Sequence, residues 1–481
     1  MPGCPTALET TPAPGCAAHV EGGNGGPIER IAPSDLVTLA MDRRGRTPEH
    51  LGAVLVLGAG TDVVAVERVI AERARLIPRL CQRLVRVPPG CGNPVWIDDA
   101  DFDPSRQMRR VRCPHPATEQ ELLDLAAAIA TEPLPRSRPL WISTIVTGLA
   151  DGRIALVIVL HHVVADGIGG LAVLDRLVDG AAVSTQSRAF PTPRPALARL
   201  AAEAARARLR SLRRFPMVLR ALRVSLAAGG GMHPRPAAPC SLLQPTGSRR
   251  RFAVARADLA GLRAAAHRYG GTVNDAMLAA VAGALRTVLV QRGERVETFR
   301  VGLMVAARRS APAEALGNST APLLVDVPSS SEPEARLAAI AGTVRARRDS
   351  ATGPAPVALI APLFRALAAL GIYRWYIAHQ RRLHTLTSNV RGPDRQRRVA
   401  DAPIESIIPI SVGEAGNITV GFVALSYAGV LVVTVTADPD HAPDLPAIAT
   451  ALQDELDALV TAARAEGGER AGEAPHDDVA G

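Results

Sequence analysis

An arginine-rich segment interrupts the chain near its middle and separates two stretches in which strands and helices alternate. The segment follows the proline-punctuated string FPTPRP and runs from Ala196 to Ala228, where three glycines follow it. On both sides, up to about Ala189 and again from about Arg249, short apolar runs alternate with helical patterns. Such alternation is typical of α/β domains, in which a sheet is covered by helices. We therefore predict two α/β domains joined by a long helical crossover linker.

Length and composition agree with this division. A chain of 481 residues exceeds what one hydrophobic core usually supports, and 47% hydrophobic against 21% charged residues indicates a globular protein. The predicted segments are a disordered N-terminal tail at 1–27, a first domain at 28–190, an arginine-rich helical linker at 191–245, a second domain at 246–465 and a disordered tail at 466–481.

The net charge of +9 is carried entirely by arginine, because the chain contains no lysine among its 55 basic residues. Arginines scattered along a chain do not form a nucleic-acid-binding patch, and 3% aromatic residues provide few surfaces for base stacking. The six cysteines include no C-x-x-C pair, so they predict neither a metal site nor a disulfide framework. The N-terminus lacks the basic start and apolar core of a signal peptide. We expect a cytoplasmic protein that binds neither nucleic acid nor metal.

The most lipid-like segment runs from Pro354 to Ala378. It contains Arg365, Arg374 and internal prolines, so it offers no uncharged apolar run of about 18 residues that would span a bilayer. We expect a packed helix or a helix that lies at a membrane interface.

The string HHVVADG directly follows the apolar strand predicted at Arg153–Leu160. Because strand side chains alternate, His161 and His162 must point to opposite sides, and one of them can face a cleft. A neutral imidazole is a common general base for activating a hydroxyl. On the residues alone, a histidine at a strand end is more often structural than catalytic. Asp166 could cap the following helix, and Gly167 could serve a tight turn.

HHVVADG resembles the H-H-x-x-x-D-G signature of coenzyme A-dependent acyltransferases and of peptide-synthetase condensation domains, which share the fold of chloramphenicol acetyltransferase. Five further strings occur in order along the chain: PVWIDDADFD, PLPRSRPLW, NDAMLAAVAGALR, LGNSTAPLLVDVP and SNVRGP. Together they resemble the bacterial wax ester synthase/diacylglycerol acyltransferase family from about Pro33 to Leu459. The resemblance implies an α/β fold with two chloramphenicol acetyltransferase-like domains, each a mixed sheet with helices.

The resemblance also implies roles for individual residues. His162 would be the general base that deprotonates an acceptor alcohol for direct attack on the thioester of acyl-CoA. His161 and Asp166 would be structural, with an arginine elsewhere in the chain as the partner of Asp166. Gly167 would leave room beside the site, and Trp141 of the PLW string would lie near the substrate tunnel.

Two further pairs of residues are candidates across the cleft. Asn274 would hydrogen-bond the reacting groups or the tetrahedral oxyanion. The alternative is structural, because Thr272 and Asp275 have the spacing of a capping box at a helix start. Ser388 and Asn389 precede a Gly-Pro breaker, which favours a role in ending a strand over a role in the tunnel.

The implied function is an O-acyltransferase that makes triacylglycerol from diacylglycerol and long-chain acyl-CoA, with wax esters from fatty alcohols as a second product. Acyl-CoA is a co-substrate, and no cofactor is expected. Ile142 and Gln107 stand where family members commonly carry an acid and often a histidine, respectively, which leaves the acceptor and chain-length preference open. The alternatives are a condensation-type acyltransferase of specialised metabolism and a non-catalytic lipid-binding protein.

The arginine-rich linker allows two interpretations. It is either a solvated helix face or a basic amphipathic helix that holds the enzyme on an anionic membrane or lipid-inclusion surface. Pro216 would kink such a helix.

Overall fold

The computed structural model describes residues 28–32, 35–44, 46–180, 190–227, 236–306, 320–330, 332–350, 371–413 and 416–472. The tail predicted at 1–27 and most of the apolar segment that begins at Pro354 lie outside the described residues, as do residues 473–481 of the second predicted tail.

Helices and strands alternate through both halves of the chain. The described α-helices are α1 Asp35–Arg44, α2 Val63–Arg75, α3 Glu119–Thr131, α4 Gly167–Leu177, α5 Leu197–Ala227, α6 Leu259–Arg268, α7 Val273–Gln291, α8 Pro333–Ser350, α9 Ile372–Ala378 and α10 Leu445–Gly472. The described strands are β1 His50–Leu57, β2 Gln82–Val85, β3 Val95–Asp98, β4 Met108–Arg112, β5 Trp141–Thr147, β6 Ile154–His161, β7 Arg251–Asp258, β8 Thr298–Ala306, β9 Thr320–Pro328, β10 Thr385–Arg391, β11 Arg398–Val399, β12 Ala402–Val412, β13 Val420–Tyr427 and β14 Val430–Ala437.

The strands form two six-stranded sheets and a small hairpin. The first sheet has the order β11-β12-β1-β6-β5-β4, the second has the order β7-β14-β13-β10-β8-β9, and β2 pairs with β3. Both large sheets are mixed: β4 runs parallel to β5, and β10 runs parallel to β13 and β8, whereas the other pairs are antiparallel. Two mixed sheets with helices confirm the predicted fold class.

One strand of the first sheet belongs to the second half of the sequence. Strand β12 pairs antiparallel with β1, from His50 opposite Val412 to Leu57 opposite Ile404. On its other side β1 pairs with β6. The first sheet is therefore completed by a segment that lies more than two hundred residues beyond the first predicted domain.

Each half has its own core, and α3 packs between the two sheets. A cluster on one face of the first sheet joins β1, β6 and β12 to α3 and reaches Phe252 and Val432 of the second sheet. Arg251 donates to the Asp124 carboxylate across this boundary, with N–O distances of 3.1 Å for both contacts. The halves thus share apolar and charged contacts on the side of the first sheet that carries α3.

Helix α7 is the central helix of the second core. Met277, Val281, Leu285 and Val288 recur at helical spacing and are buried, with at most 1% of each residue exposed. Most of the other residues of α7 are buried as well. By length and composition alone α7 is the one described helix that could cross a membrane, but 72% of its apolar window is buried inside the protein.

The linker forms α5, a helix of 31 residues that includes Pro216. Its first turns pack on the protein through Leu200, which is buried beside Cys91 and Val95, and Ala204 one turn later is also buried. At the other end of the chain, α10 reaches Gly472 and so extends past the domain boundary predicted at residue 465.

Candidate active site

The two histidines lie at the end of β6 and face different surroundings. His161 is the last residue of β6 and pairs with His50 of β1. The backbone N–H of His162 donates to the Glu49 carbonyl oxygen at 2.8 Å, which fixes the chain just beyond the strand. The His161 residue is 2% exposed, whereas His162 is half-buried and lines a large cavity.

This main cavity has a volume of about 670 Å³ and lies between the two halves, within the range usual for small-molecule sites. Most of its lining is aliphatic. The first half contributes Met41, Leu51, Ile158, Leu160, Leu171, Val173 and Leu174, and the second half contributes Leu303, Met304, Leu386, Val390, Ile410, Ile418, Phe422, Val423 and Leu425. A predominantly apolar cavity with a few polar groups suits an acyl chain.

Burial lowers the pKa of His162 below its ordinary value, and the nearby Asp166 carboxylate offsets only part of that effect. The ring is therefore neutral at physiological pH. A neutral imidazole that lines an apolar cavity is able to accept a proton from a hydroxyl group.

His161 belongs to a separate polar cluster. The backbone N–H of Val163 donates to His161 Nδ1 at 3.2 Å, so the ring proton is on Nε2, which lies 3.4 Å from the Asp42 carboxylate. Asp42 also pairs with Arg136. Burial alone would raise the pKa of Asp42, but His161 and Arg136 outweigh it and hold that pKa well below its usual range. His161 therefore orients the strand end.

His50 completes the same cluster. Its ring stands edge-on to His161, with 5.5 Å between ring centroids, and its Nδ1 lies 2.8 Å from the Ala130 carbonyl oxygen. Burial is the main cause that lowers the pKa of His50 to about 4. The sequence interpretation did not single out His50, because no local motif marks it.

Asp166 and Gly167 form the start of α4. The Asp166 carboxylate accepts from the Gly169 backbone N–H at 2.9 Å, so Asp166 is the N-cap of the helix. The arginine partner implied for Asp166 stays a prediction. A methyl group added at Gly167 would stand 3.2 Å from Val390 Cγ2, so the glycine lets α4 approach β10 across the cavity.

Asn274 and Asp275 are neighbours with different environments. Asn274 is half-buried and lines the main cavity, as His162 does. Asp275 is 3% exposed, and one of its carboxylate oxygens accepts from the Thr272 backbone N–H and hydroxyl, each at 2.8 Å. Asp275 thus caps α7 and holds Asn274 in the first turn.

Ser388 and Asn389 line the main cavity, on β10 between β8 and β13. Trp141 does not line the main cavity. It is 1% exposed, and its indole N–H donates to the Leu80 carbonyl oxygen at 2.8 Å. The side chain therefore belongs to the core of the first half, because β5 directs it away from the cavity.

The cavity also contains residues that sequence interpretation did not propose. Glu49 and Arg250 line it, together with Ser411 and Gly413 at the end of β12. The Arg250 side chain donates to the carbonyl oxygens of Gly247 at 2.8 Å and Gly413 at 3.0 Å. These residues meet only because β12 pairs with β1, and no local motif signals that pairing.

Comparisons with known proteins point to one family. The wax ester synthase/diacylglycerol acyltransferase catalytic domain matches residues 31–277, and the C-terminal domain of the same family matches residues 316–460. A probable diacylglycerol O-acyltransferase of Mycobacterium tuberculosis strain H37Rv is 30% identical over 427 residues, covering 85% of this chain and 91% of that protein.

Solved structures give the same fold. The wax ester synthase/diacylglycerol acyltransferase from Marinobacter aquaeolei VT8 superposes with a TM-score of 0.62 at 22% identity, covering 90% of this chain and all of that one. The first condensation domain of the CDA synthetase gives a TM-score of 0.58 at 17% identity, covering 91% and 97% of the two chains. The matched catalytic and C-terminal domains establish that this chain is an acyltransferase of the wax ester synthase/diacylglycerol acyltransferase family.

Proposed function

We propose that the enzyme transfers a long-chain acyl group from acyl-CoA to diacylglycerol, forming triacylglycerol, and that fatty alcohols are a second class of acceptor. The observation that carries the proposal is the position of His162, a neutral imidazole on the wall of a large apolar cavity. The name of the Mycobacterium tuberculosis relative supports diacylglycerol as the acceptor.

In the proposed reaction His162 removes the proton of the acceptor hydroxyl as its oxygen attacks the thioester carbonyl. The tetrahedral intermediate carries the negative charge on the former carbonyl oxygen, and Asn274 is the candidate donor to that oxygen. When the intermediate collapses, the carbon–sulfur bond breaks, and the His162 imidazolium returns its proton to the CoA thiolate. The four described cysteines, Cys81, Cys91, Cys113 and Cys240, lie outside the cavity lining, so the scheme uses no cysteine acyl-enzyme.

The direct test incubates purified protein with palmitoyl-CoA and one acceptor at a time. The acceptors are diacylglycerol, hexadecanol and a long-chain amine. We expect triacylglycerol with the first acceptor and a wax ester with the second. Amide formed faster than either ester would favour a condensation-type acyltransferase. Binding of palmitoyl-CoA without turnover of any acceptor would favour a lipid-binding protein. The scheme requires no cofactor, so dialysis against EDTA should leave the rate unchanged.

We further propose that the enzyme is cytoplasmic and works at the inner membrane face or on lipid inclusions, with α5 as the contact. Beyond Ala204 the described side chains of α5 are exposed, including Arg206, Arg210 and Arg213. Leu209 and Leu212 are 50% and 70% exposed on the same stretch. Exposed leucines among arginines suit the interface of an anionic bilayer.

A further inference from the structure

A second cavity lies beside the main one and is lined by arginine and tryptophan. We call it the Arg46 pocket. Its volume is about 520 Å³, and its wall includes Arg46, Thr246, Arg374, Trp375 and Gly416. Within the described part of the chain, the lining residues include two arginines and no carboxylate. The pocket is not among the features that the catalytic scheme uses.

The Arg46 pocket and the main cavity share two loops as a wall. Thr246 and Gly416 face the Arg46 pocket, and the Thr246 backbone N–H donates to the Gly416 carbonyl oxygen at 2.9 Å. Arg250 and Gly413, on the same two loops, line the main cavity and are joined by a hydrogen bond of 3.0 Å. A ligand that enters the main cavity past these loops would therefore leave its outer end beside the Arg46 pocket.

The charge around Arg46 suits phosphate groups. Arg46 also lines a third cavity of about 410 Å³, whose wall includes Arg86 and the ion pair of Arg136 with Asp42. Arg46, Arg86 and Arg374 are exposed. Guanidinium groups bind phosphate oxygens through paired, charge-assisted hydrogen bonds.

Trp375 supplies an aromatic surface in the same pocket. It is 65% exposed, whereas the other two tryptophans, Trp96 and Trp141, are 7% and 1% exposed. One face of its indole stacks on the His379 ring, with 5.0 Å between centroids. An exposed indole beside arginines is suited to stack on a nucleobase.

We propose that the Arg46 pocket binds the phosphoadenosine end of acyl-CoA, with Trp375 against the adenine and Arg46 and Arg374 on the phosphates. The assignment rests on the proposed function, because it takes acyl-CoA as the donor. The pantetheine arm then passes the two shared loops and delivers the thioester to His162 in the main cavity.

Binding of adenosine 3′,5′-bisphosphate tests the site without any reaction. Calorimetry compares wild type with the double variant Arg46→Gln/Arg374→Gln, and with Arg464→Gln as a control for removing one exposed arginine. We expect Kd to rise about tenfold or more in the double variant and to stay within about twofold in the control, since two charged phosphate contacts are lost only in the former. Equal Kd values for all three proteins would overturn the assignment.

Kinetics with two acyl donors show whether the change in KM depends on the nucleotide of CoA. With palmitoyl-CoA the double variant should show a KM raised about tenfold, whereas with palmitoyl-N-acetylcysteamine, which lacks the nucleotide, its KM should follow that of wild type. Equal increases for both donors would contradict the proposal. If wild type acylates no acceptor from either donor, the proposed function is wrong. The binding of adenosine 3′,5′-bisphosphate still tests whether the Arg46 pocket holds the nucleotide.

Phospholipid headgroups carry the same phosphate chemistry, and vesicles separate them from the nucleotide. We expect wild type and double variant to bind phosphatidylglycerol vesicles alike. Loss of vesicle binding in the double variant, with an unchanged Kd for the bisphosphate, would assign the arginines to lipid and overturn the proposal.

Discussion

His161 and His162 are adjacent in sequence but lie on opposite sides of a strand end, and their surroundings decide what each can do. His161 Nδ1 accepts from the Val163 N–H and its Nε2 is buried 3.4 Å from the Asp42 carboxylate, and the residue does not line the main cavity. His162 instead lines the main cavity with a pKa lowered by burial. Of the two histidines, only His162 can therefore accept a proton from a substrate in the main cavity.

His162→Ala should lower kcat/KM for acyl transfer by about 100- to 10,000-fold, because a positioned general base is lost. The variant should fold normally, since His162 makes its backbone contact to Glu49 with the peptide N–H. Initial rates with palmitoyl-CoA and a thermal melt check both statements. His161→Ala is the matched comparison and should lower soluble yield. Near-wild-type rates for His162→Ala would rule out the mechanism.

The acidic limb of the pH profile should reflect the lowered pKa of His162. The general base must be neutral to accept a proton. Burial lowers the pKa of His162 below the ordinary histidine value of about 6.5. We expect the acidic limb of kcat/KM to have its midpoint below pH 6.5. A limb centred above pH 7 would show that another group controls the rate.

His50 should make the free energy of unfolding depend on pH in a definite window. Its folded pKa is about 4 and its unfolded value about 6.5, so the unfolded chain binds the proton more readily. The contribution is complete above pH 6.5 and is lost as pH falls toward 4, up to about 3 kcal/mol. Urea unfolding at pH 7 and 4.5 measures the loss, which His50→Gln should reduce. An equal loss in both proteins would contradict the assignment.

At the scale of elements, the first turn of α7 separates a structural carboxylate from a candidate catalytic amide. Asp275 is tied to Thr272, whereas Asn274 lines the main cavity. The sequence left both interpretations open, and the structure gives the capping role to Asp275.

Substitutions in this turn should affect different quantities. Asp275→Ala should cost about 1 kcal/mol of stability through the lost cap and leave kcat within about twofold. Asn274→Ala should lower kcat by about 100-fold with little change in stability, if the amide is the oxyanion donor. Chemical denaturation and steady-state kinetics on both variants check the pair. A full kcat in Asn274→Ala would remove Asn274 from the mechanism.

Local patterns predicted those elements that local sequence determines. The apolar strand predicted at Arg153–Leu160 lies close to β6, and the capping-box spacing of Thr272 and Asp275 marks the observed start of α7. Strand β12 was missed, because Pro403 and Pro409 interrupt its pattern. Among the described strands, β11 is the neighbour of β12 on the side away from β1, and it pairs only with Ala402 and Pro403. No described strand pairs with Pro409 on that side, so a residue without a backbone N–H is tolerated there.

The same limit explains which details of the site the sequence could not predict. Trp141 was placed near the tunnel by its motif, but which side of β5 faces the cavity depends on how the two sheets meet. Glu49 and Arg250 line the cavity through contacts between segments about two hundred residues apart in sequence. Long-range pairing of this kind has no local sequence signal.

At the scale of the whole molecule, the exposed part of α5 predicts salt-sensitive binding to anionic vesicles. Each arginine near an anionic surface contributes about 1 kcal/mol, so replacing Arg206, Arg210, Arg213 and Arg214 by glutamine should reduce binding strongly. Flotation with anionic and neutral liposomes at low and high salt measures this. Equal flotation of both proteins on anionic vesicles would show that the α5 arginines do not bind the membrane. Binding that salt does not weaken would indicate the apolar segment from Pro354 to Ala378 instead.

The pairing of β1 with β12 also bears on how the protein is made. During synthesis the first half emerges with β1 at the edge of an incomplete sheet, and its partner strand follows only after some 340 more residues. Until then an eight-residue, mostly aliphatic strand edge is open to pairing with other chains. Residues 28–190 expressed alone should therefore aggregate, and soluble protein should return when residues 246–465 are supplied as a second chain. The two halves are therefore expected to fold together as one unit, because the first sheet needs β12 from the second half.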